Sequence, residues 1–482
     1  MADFNLSVTA SDLNAAIAKA NAAAPQSTTY TKTEVDTALA AKLDASDIDA
    51  ALSTTSTNPV QNNTLYTKFL DIDANIAAIR VMMDAVLYGY RVNKNDSNPE
   101  TRVEYLYDAV GMTPARMNFT TGQFDYGSWA NVWFVAGNKP VALKFDGTVD
   151  YELDPNDYSK KADGTASDIT DSTYAGNFMA TMPTVWIKRW EDDNYRYCAI
   201  SNKQITPEFK ANAHDAGDGT INPVIYLPMF KGVILSSKMR SIAGVTPQGN
   251  TTGSTEKTAA EACGSGWQLW DLSKHELLSD LLTLISRSTN SQAAFGKGDT
   301  NTYNSSDTTT YGKLNTGQHK VDGVWTMYGG GRFWGAADDN HHVRVFHIED
   351  FWGNRWDRCL GLNLVSNEYV YKLVRPYALE PDSTYTSSGL YAPNSGAYQK
   401  EQYTGEYGAL PKTTGGSGVN ETTYECDYFS KDGSGTRLLL FGGRCSDRAL
   451  CGSRSLALGI AASIGDWSFG GSPCFNTPHE GV

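Results

Sequence analysis

The chain has 482 residues, with 40 Lys or Arg against 54 Asp or Glu, a formal net charge of −14 and 40% hydrophobic residues. That apolar fraction supports a packed core and excludes global disorder. The acidic balance excludes nucleic acid as the main partner, because neutralising phosphate needs clustered Lys and Arg. With about 100–200 residues per domain, the length fits two to four domains. No run of about 18 apolar residues is present, so no membrane insertion is expected. The opening MADFNLSVTASDLN lacks a basic n-region and an apolar h-region, so no signal peptide is expected there either.

Residues 1–63 are rich in Ala, Thr, Ser and Asp and contain no Trp, too little apolar surface to fold alone. Within them, Ser11–Ala24 and Thr33–Leu43 read as short helices, with Ser11 and Thr33 as N-caps. Residues 64–90 carry the clearest period: Leu65, Phe69, Ile72, Ile76, Ile79, Met83 and Val86 follow at spacings of 4, 3, 4, 3, 4, 3. This a/d pattern predicts a coiled coil, and the mixture of Ile, Phe and Met at its seam favours a homotrimer.

After Gly89 the texture turns to short aromatic runs bounded by turns, a pattern of β structure. Trp133–Val135, Val141–Phe145, Thr184–Ile187 and Tyr195–Ile200 read as strands, with turns at Asp146-Gly147 and Asp218-Gly219. One helix stands out, with Ser273 as N-cap, Glu276 at the capping-box position and an apolar stripe of Leu277, Leu278, Leu281, Leu282 and Ile285. Residues 377–435, rich in Tyr, Ser, Thr, Gly and Pro, read as surface loops or an insertion.

Candidate chemistry is sparse. His341, His342 and His347 with Asp338, Asp339 and Asp350 could ligate a metal, but adjacent histidines on a strand face opposite ways, so a polar loop feeding a strand is the expectation. Gly329-Gly330-Gly331 lacks the phosphate-loop spacing and reads as a tight turn. Acid pairs such as Glu349-Asp350 and Asp192-Asp193 read as solvated. The seven cysteines form no CxxC and read as reduced, buried thiols. A redox pair among Cys445, Cys451 and Cys474, close to Arg444, Arg448 and Arg454, is the enzyme alternative. No metal or cofactor site is assigned.

Three segments carry a resemblance. YTKTEVDTALAAKLD from Tyr30 and LSTTSTNPVQNNTLYTKF from Leu52 resemble the N-terminal repeats of bacteriophage tail fibres and collars. MRSIAGVTPQ from Met239, ACGSGWQLWDLSKHELLSDLLTLI from Ala262 and EDFWGNRWDRCLGLN from Glu349 resemble the C-type lectin-like fold shared by formylglycine-generating enzymes and the variable proteins of diversity-generating retroelements. LLLFGGRCSDRALCGSRSLALGIAASIGDWSFGGSPCF, residues 438–475, resembles a retroelement variable region. In such regions rewritten Asn codons cannot yield Lys, Glu, Gln, Met or Trp; none of the first four occurs between Arg444 and Phe469, and Trp467 stands where the resemblance implies a fixed Trp.

The resemblance implies an α+β architecture: residues 1–63 attach to the virion, 64–90 form a helical coiled-coil stalk, 91–200 form a β-rich part of the head, and 201–482 form a C-type lectin-like domain. It implies diversified, receptor-contacting positions at Arg444, Ser446, Asp447, Ser455, Ala457, Gly459, Ile460, Ile464, Asp466, Ser468 and Phe469, with Arg448 and Arg454 as further positions often fixed in the family. The implied function is attachment of a phage tail to a bacterial cell-surface receptor, protein or glycan, with other tail or baseplate proteins engaged through the N-terminus. A copper-dependent thiol oxidase of the formylglycine-generating type, and a purely structural fibre or collar protein, are the alternatives. "Lectin-like" here names a fold and no carbohydrate.

Overall fold

A computed structural model describes Ala15 and residues 84–478 other than 322, 323 and 328. Apart from Ala15, which is helical and exposed, the helices expected at Ser11–Ala24 and Thr33–Leu43, and the seam residues Leu65 to Met83, lie outside the described residues. Strands take 36% and helices 10% of the structure, with four α-helices. Among the described residues no helix is long and apolar enough to cross a membrane.

This corrects the expected fold class. The chain is not an α+β, C-type lectin-like head behind a helical stalk but a mostly β protein built largely on one sheet, and no coiled-coil stalk is present among the described residues. Where the heptad pattern reaches them, at Val86, the chain is not helical and leads into the strand Leu87–Asn93. Tyr90 and Val92 of that strand alternate into the core, and the Val86 N–H donates to Asn202 Oδ1 at 2.9 Å. A period of two with aromatic residues outweighs the 4,3 spacing there.

Leu87–Asn93 is central in a four-stranded antiparallel sheet with Val103–Tyr107, Tyr195–Ser201 and Trp186–Glu191. The main sheet has 16 strands. Its path runs through Gly408–Thr414, Ala397–Gly405, Tyr428–Ser430, Leu456–Ile460, Arg437–Phe441, Trp356–Val365 and Trp267–Asp271. It continues through Pro473–Phe475, Val224–Pro228, Gly176–Pro183, Pro140–Lys144, Val149–Asp154 and Asp157–Lys161. Strands on both sides of residue 200 therefore share one sheet. The segment 377–435 supplies three consecutive members of the path, Gly408–Thr414, Ala397–Gly405 and Tyr428–Ser430. Trp133–Val135, expected as a strand, lies in the short helix Trp133–Ala136.

The helix Leu272–Ser286 is buried along all of its 15 residues. Its N-cap is Asp271, whose carboxylate accepts the Lys274 N–H at 3.1 Å; Ser273 instead donates to Leu373 O. Leu277, Leu278, Leu281, Leu282 and Ile285 enter the main core as the stripe requires. The opposite face is polar and equally dry, so its carboxylates need partners. Glu276 and Asp280 both pair with Arg454, Asp280 also takes Arg189 at 2.5 Å, and the Tyr90 hydroxyl donates to Asp280 at 2.8 Å. Although burial raises it, Arg454, His275 and Arg189 hold the Glu276 carboxyl down at about 2. A second buried set joins Glu425 to Arg102 and Arg196. Arg454→Met should lower unfolding free energy by about 3–5 kcal/mol by leaving the buried Glu276 without its arginine and Asp280 with Arg189 alone, whereas Arg448→Ala, on the exposed surface, should change it by about 0.5 kcal/mol or less; urea unfolding of the two variants checks both.

Candidate functional site

Four strands lie side by side near one end of the main sheet: Tyr428–Ser430, Leu456–Ile460, Arg437–Phe441 and Trp356–Val365. The two residues Phe469–Gly470 pair in parallel with Trp356 and Asp357. Side chains from these strands form a separate apolar cluster of Trp356, Leu440, Ala457 and Phe469, with Ile460 packed against it. The cluster floors an open cleft of about 310 Å³. Arg444, Asp447, Leu450, Gly459, Ile460 and Ser468 line it from the C-terminal segment, and Tyr428, Ser430 and Asp432 line it from the other side. A hollow of about 50 Å³ near Val185, Lys210 and Tyr407 has space for little more than water.

Arg444, Asp447, Ala457, Gly459, Ile460, Ser468 and Phe469 thus converge on one cleft. Arg444 Nε donates to Asp447 Oδ1 at 2.9 Å, and its guanidinium lies 5.5 Å from the Trp467 ring centroid. Trp467 is stacked on Tyr311 at 4.6 Å and on Tyr303 at 5.1 Å. Ser446 donates to Asp447, and exposed Arg448 donates to Asn301 at 2.9 Å. Ile464 stands 48% exposed on its own turn, and Asp466 is tied up by the Ser468 N–H and hydroxyl. Phe469 is buried, with the Arg358 guanidinium 4.6 Å from its ring centroid. Arg454 and Ser455 face inward: Arg454 completes the helix ion network, and Ser455 donates to Leu450 O at 2.6 Å.

Sequence reasoning missed the facing wall. Trp356 lies in the quoted EDFWGNRWDRCLGLN segment, but nothing in the local spacing ties Tyr428, Ser430 or Asp432 to residues near 459. Their adjacency comes from a parallel pairing of Tyr428–Ser430 with Leu456–Ile460, set by a long connection.

The segment that carries the cleft is gripped largely through its main chain. The Cys445 N–H donates to Asn354 O at 3.0 Å and the Tyr303 N–H to Cys445 O at 3.0 Å. Gln292 donates to the carbonyls of Arg448 and Cys451, and His275 and Ser279 both bond Ser453 O. Further on, the Gly253 N–H donates to Ala462 O, Arg358 to Ile464 O, and the Trp356 N–H to Ser468 O. Arg358 pairs with Glu256 at 2.7 Å; burial nonetheless raises the Glu256 carboxyl to about 7. These bonds use backbone atoms of residues 445–468, so they survive most changes of the side chains there.

The remaining candidates resolve into packing. His342, Glu349 and Asp350 bring one ligand atom each within 4.8 Å of one another, all buried. However, His342 Nδ1 faces Asp350 Oδ2 at 2.6 Å and Nε2 faces Asn315 O at 2.9 Å. Both ring nitrogens meet acceptors, so the ring is a doubly donating cation with no lone pair for a metal. Burial opposes that charge, but Asp350 and Glu349 push the pKa up to about 10. His347 instead meets the Tyr158 hydroxyl at 2.6 Å, and burial keeps it neutral. His341 pairs with Asp338, apart from the buried trio. Glu349 and Asp350, expected to be solvated, are buried; Asp192 is exposed and caps a turn through Asn194 and Tyr195. Gly330 and Gly331 donate their N–H groups to Asn156 O and Pro155 O, so these amides are committed to backbone contacts.

No family model matches the chain, and no curated protein matches it.

The pKa of His342 is raised on folding, so its contribution is fully present below pH about 6.5 and is lost as pH rises through about 10. His342→Gln should lower unfolding free energy by about 3 kcal/mol at pH 6, with the gap to the parent narrowing towards pH 10; urea unfolding across that range measures it.

Proposed function

We propose that this chain is a receptor-binding protein of a bacteriophage tail, which displays a diversified surface for attachment to its bacterial host. The observation that carries the reading is the division of labour within residues 444–469. Their backbone is fixed by framework residues such as Asn354, Gln292, His275 and Arg358, while Arg444, Asp447, Gly459 and Ile460 line an open cleft. A surface that must change its side chains without losing its fold needs that separation. The resemblance of residues 438–475 to a variable region points the same way, as does the absence of Lys, Glu, Gln and Met between Arg444 and Phe469.

The structure refines which positions suit display. Arg444, Ser446, Asp447, Arg448, Gly459, Ile460, Ile464 and Asp466 are exposed or partly exposed. Ala457, Ser468 and Phe469 shape the cleft from within. Arg454 and Ser455 belong to the frame. On this reading the protein acts as a homotrimer on the virion and engages other tail or baseplate proteins through its N-terminal region, so that several weak sites add by avidity.

The thiol-oxidase reading draws no support from the cysteines. Cys445, Cys451 and Cys474 are buried and unbridged, and burial pushes Cys445 up to about 12 and the other two well above the usual thiol range. A nucleophilic thiolate needs the opposite setting.

Ile464→Asp replaces an exposed apolar contact without touching the core. Phage carrying it should adsorb to host cells about tenfold less well, with an unchanged unfolding midpoint. Equal adsorption would count against receptor contact at this surface.

A further inference from the structure

The cleft is only half made of the displayed segment. Trp356, Tyr428, Ser430, Asp432 and Leu440 come from elsewhere in the chain and form a wall whose chemistry stays constant when residues 444–469 change. Its charges are unequal. Arg444 is matched by Asp447 at 2.9 Å, so the two cancel. Asp432 is exposed, and its carboxylate has no ion pair among the described residues; Arg437 bonds the Asp432 main-chain oxygen at 3.3 Å. Arg358, whose guanidinium lies against the Phe469 ring, is buried and matched by Glu256. Gly459 stands against Asp432, whose Cβ lies 3.2 Å from where a Gly459 side chain would begin, and Asp432, whose carboxylate accepts the Gly433 N–H at 2.7 Å, lines the cleft.

The floor of the same cleft is apolar and includes the Trp356 indole. An aromatic face and a carboxylate at the end of an apolar slot suit an alkyl stem with a cationic tip. A sugar would need several convergent polar groups for its hydroxyls. Here Asp447 and Ser468 are already engaged with Arg444 and Asp466. Tyr428, Ser430 and Asp432 are too few to satisfy a hexose.

We propose that the constant wall of this cleft binds a lysine or arginine side chain of a polypeptide receptor, with the stem on Trp356 and the charge on Asp432. This rests on the display reading above and adds a fixed anchor to it: the variable positions would then select the surroundings of one conserved cationic residue.

The test uses the full chain, N-acetyl-arginine methylamide and N-acetyl-lysine methylamide as cationic probes, N-acetyl-citrulline methylamide as the neutral isostere, and a panel of methyl hexosides, titrated by ligand-observed NMR. The cationic probes should bind about fivefold tighter than citrulline, and Asp432→Asn, an exposed change, should remove that preference. Ile460→Trp, which fills the cleft, should abolish binding of all three amino-acid probes. Equal binding of citrulline, discrimination that survives Asp432→Asn, or binding of a hexoside alone would overturn the proposal. Cell adsorption of the Ile464→Asp phage separates the two readings. Impaired adsorption with no cation preference leaves display standing and removes the anchor; a cation preference with unimpaired adsorption leaves the anchor and removes display.

Discussion

Two carboxylates on one face of a fully buried helix, Glu276 and Asp280, can be kept out of water only if cations are brought to them. Those cations come from distant parts of the chain, Arg189 in the strand Trp186–Glu191 and Arg454 in the C-terminal segment. The interaction is costly to break from either side, since each member left alone is a buried charge. It therefore fixes where the small four-stranded sheet and the segment after Phe441 sit relative to the helix. The neighbouring set of Glu425 with Arg102 and Arg196 repeats the arrangement one step further along.

Once Arg454 is anchored, the residues on either side have little freedom in their backbone and much in their side chains. His275 and Ser279, on the same helix, hold the carbonyl of Ser453, and Gln292 holds those of Arg448 and Cys451. The later turn is held by Arg358 and by the main chain at Gly253. A loop held mainly by its amides and carbonyls can exchange Arg444 or Ile464 for other residues at small cost in stability. The same loop cannot exchange Arg454. The cleft follows from this geometry: an apolar floor built by the sheet, a rim from residues 444–468, and an opposite wall supplied by Tyr428–Asp432.

Much of this was legible in the sequence where the signal is local. The helix at Leu272–Ser286 followed from its leucine stripe, although Asp271 and not Ser273 caps it, because the Ser273 hydroxyl is drawn to Leu373 O. The strands near 140 and 195 followed from aromatic and β-branched runs bounded by turns. Residues 438–475 stood out by their resemblance to a retroelement variable region. What could not be read was non-local. The spacing through Val86 is helical on paper, yet the next residues alternate into a sheet whose partner strand begins at Tyr195, a contact that no window of sequence contains. Tyr428 and Asp432 sit in a stretch that reads as loop, and only a parallel pairing with Leu456–Ile460 brings them to the cleft. Likewise Glu349 and Asp350 read as solvated acids because the cation that buries them, His342, looks like any other histidine until both of its ring nitrogens are seen to face acceptors.

The central claim is that one stretch of chain carries changing side chains on an unchanging backbone. Deep sequencing of this coding region across a phage population tests it most directly. The account predicts substitutions concentrated at the codons for Arg444, Ser446, Asp447, Gly459, Ile460, Ile464 and Asp466, with those for Arg454, Ser455, Asn354 and Arg358 constant. Substitutions as frequent at Arg454 as at Arg444, or none in the segment at all, would contradict it.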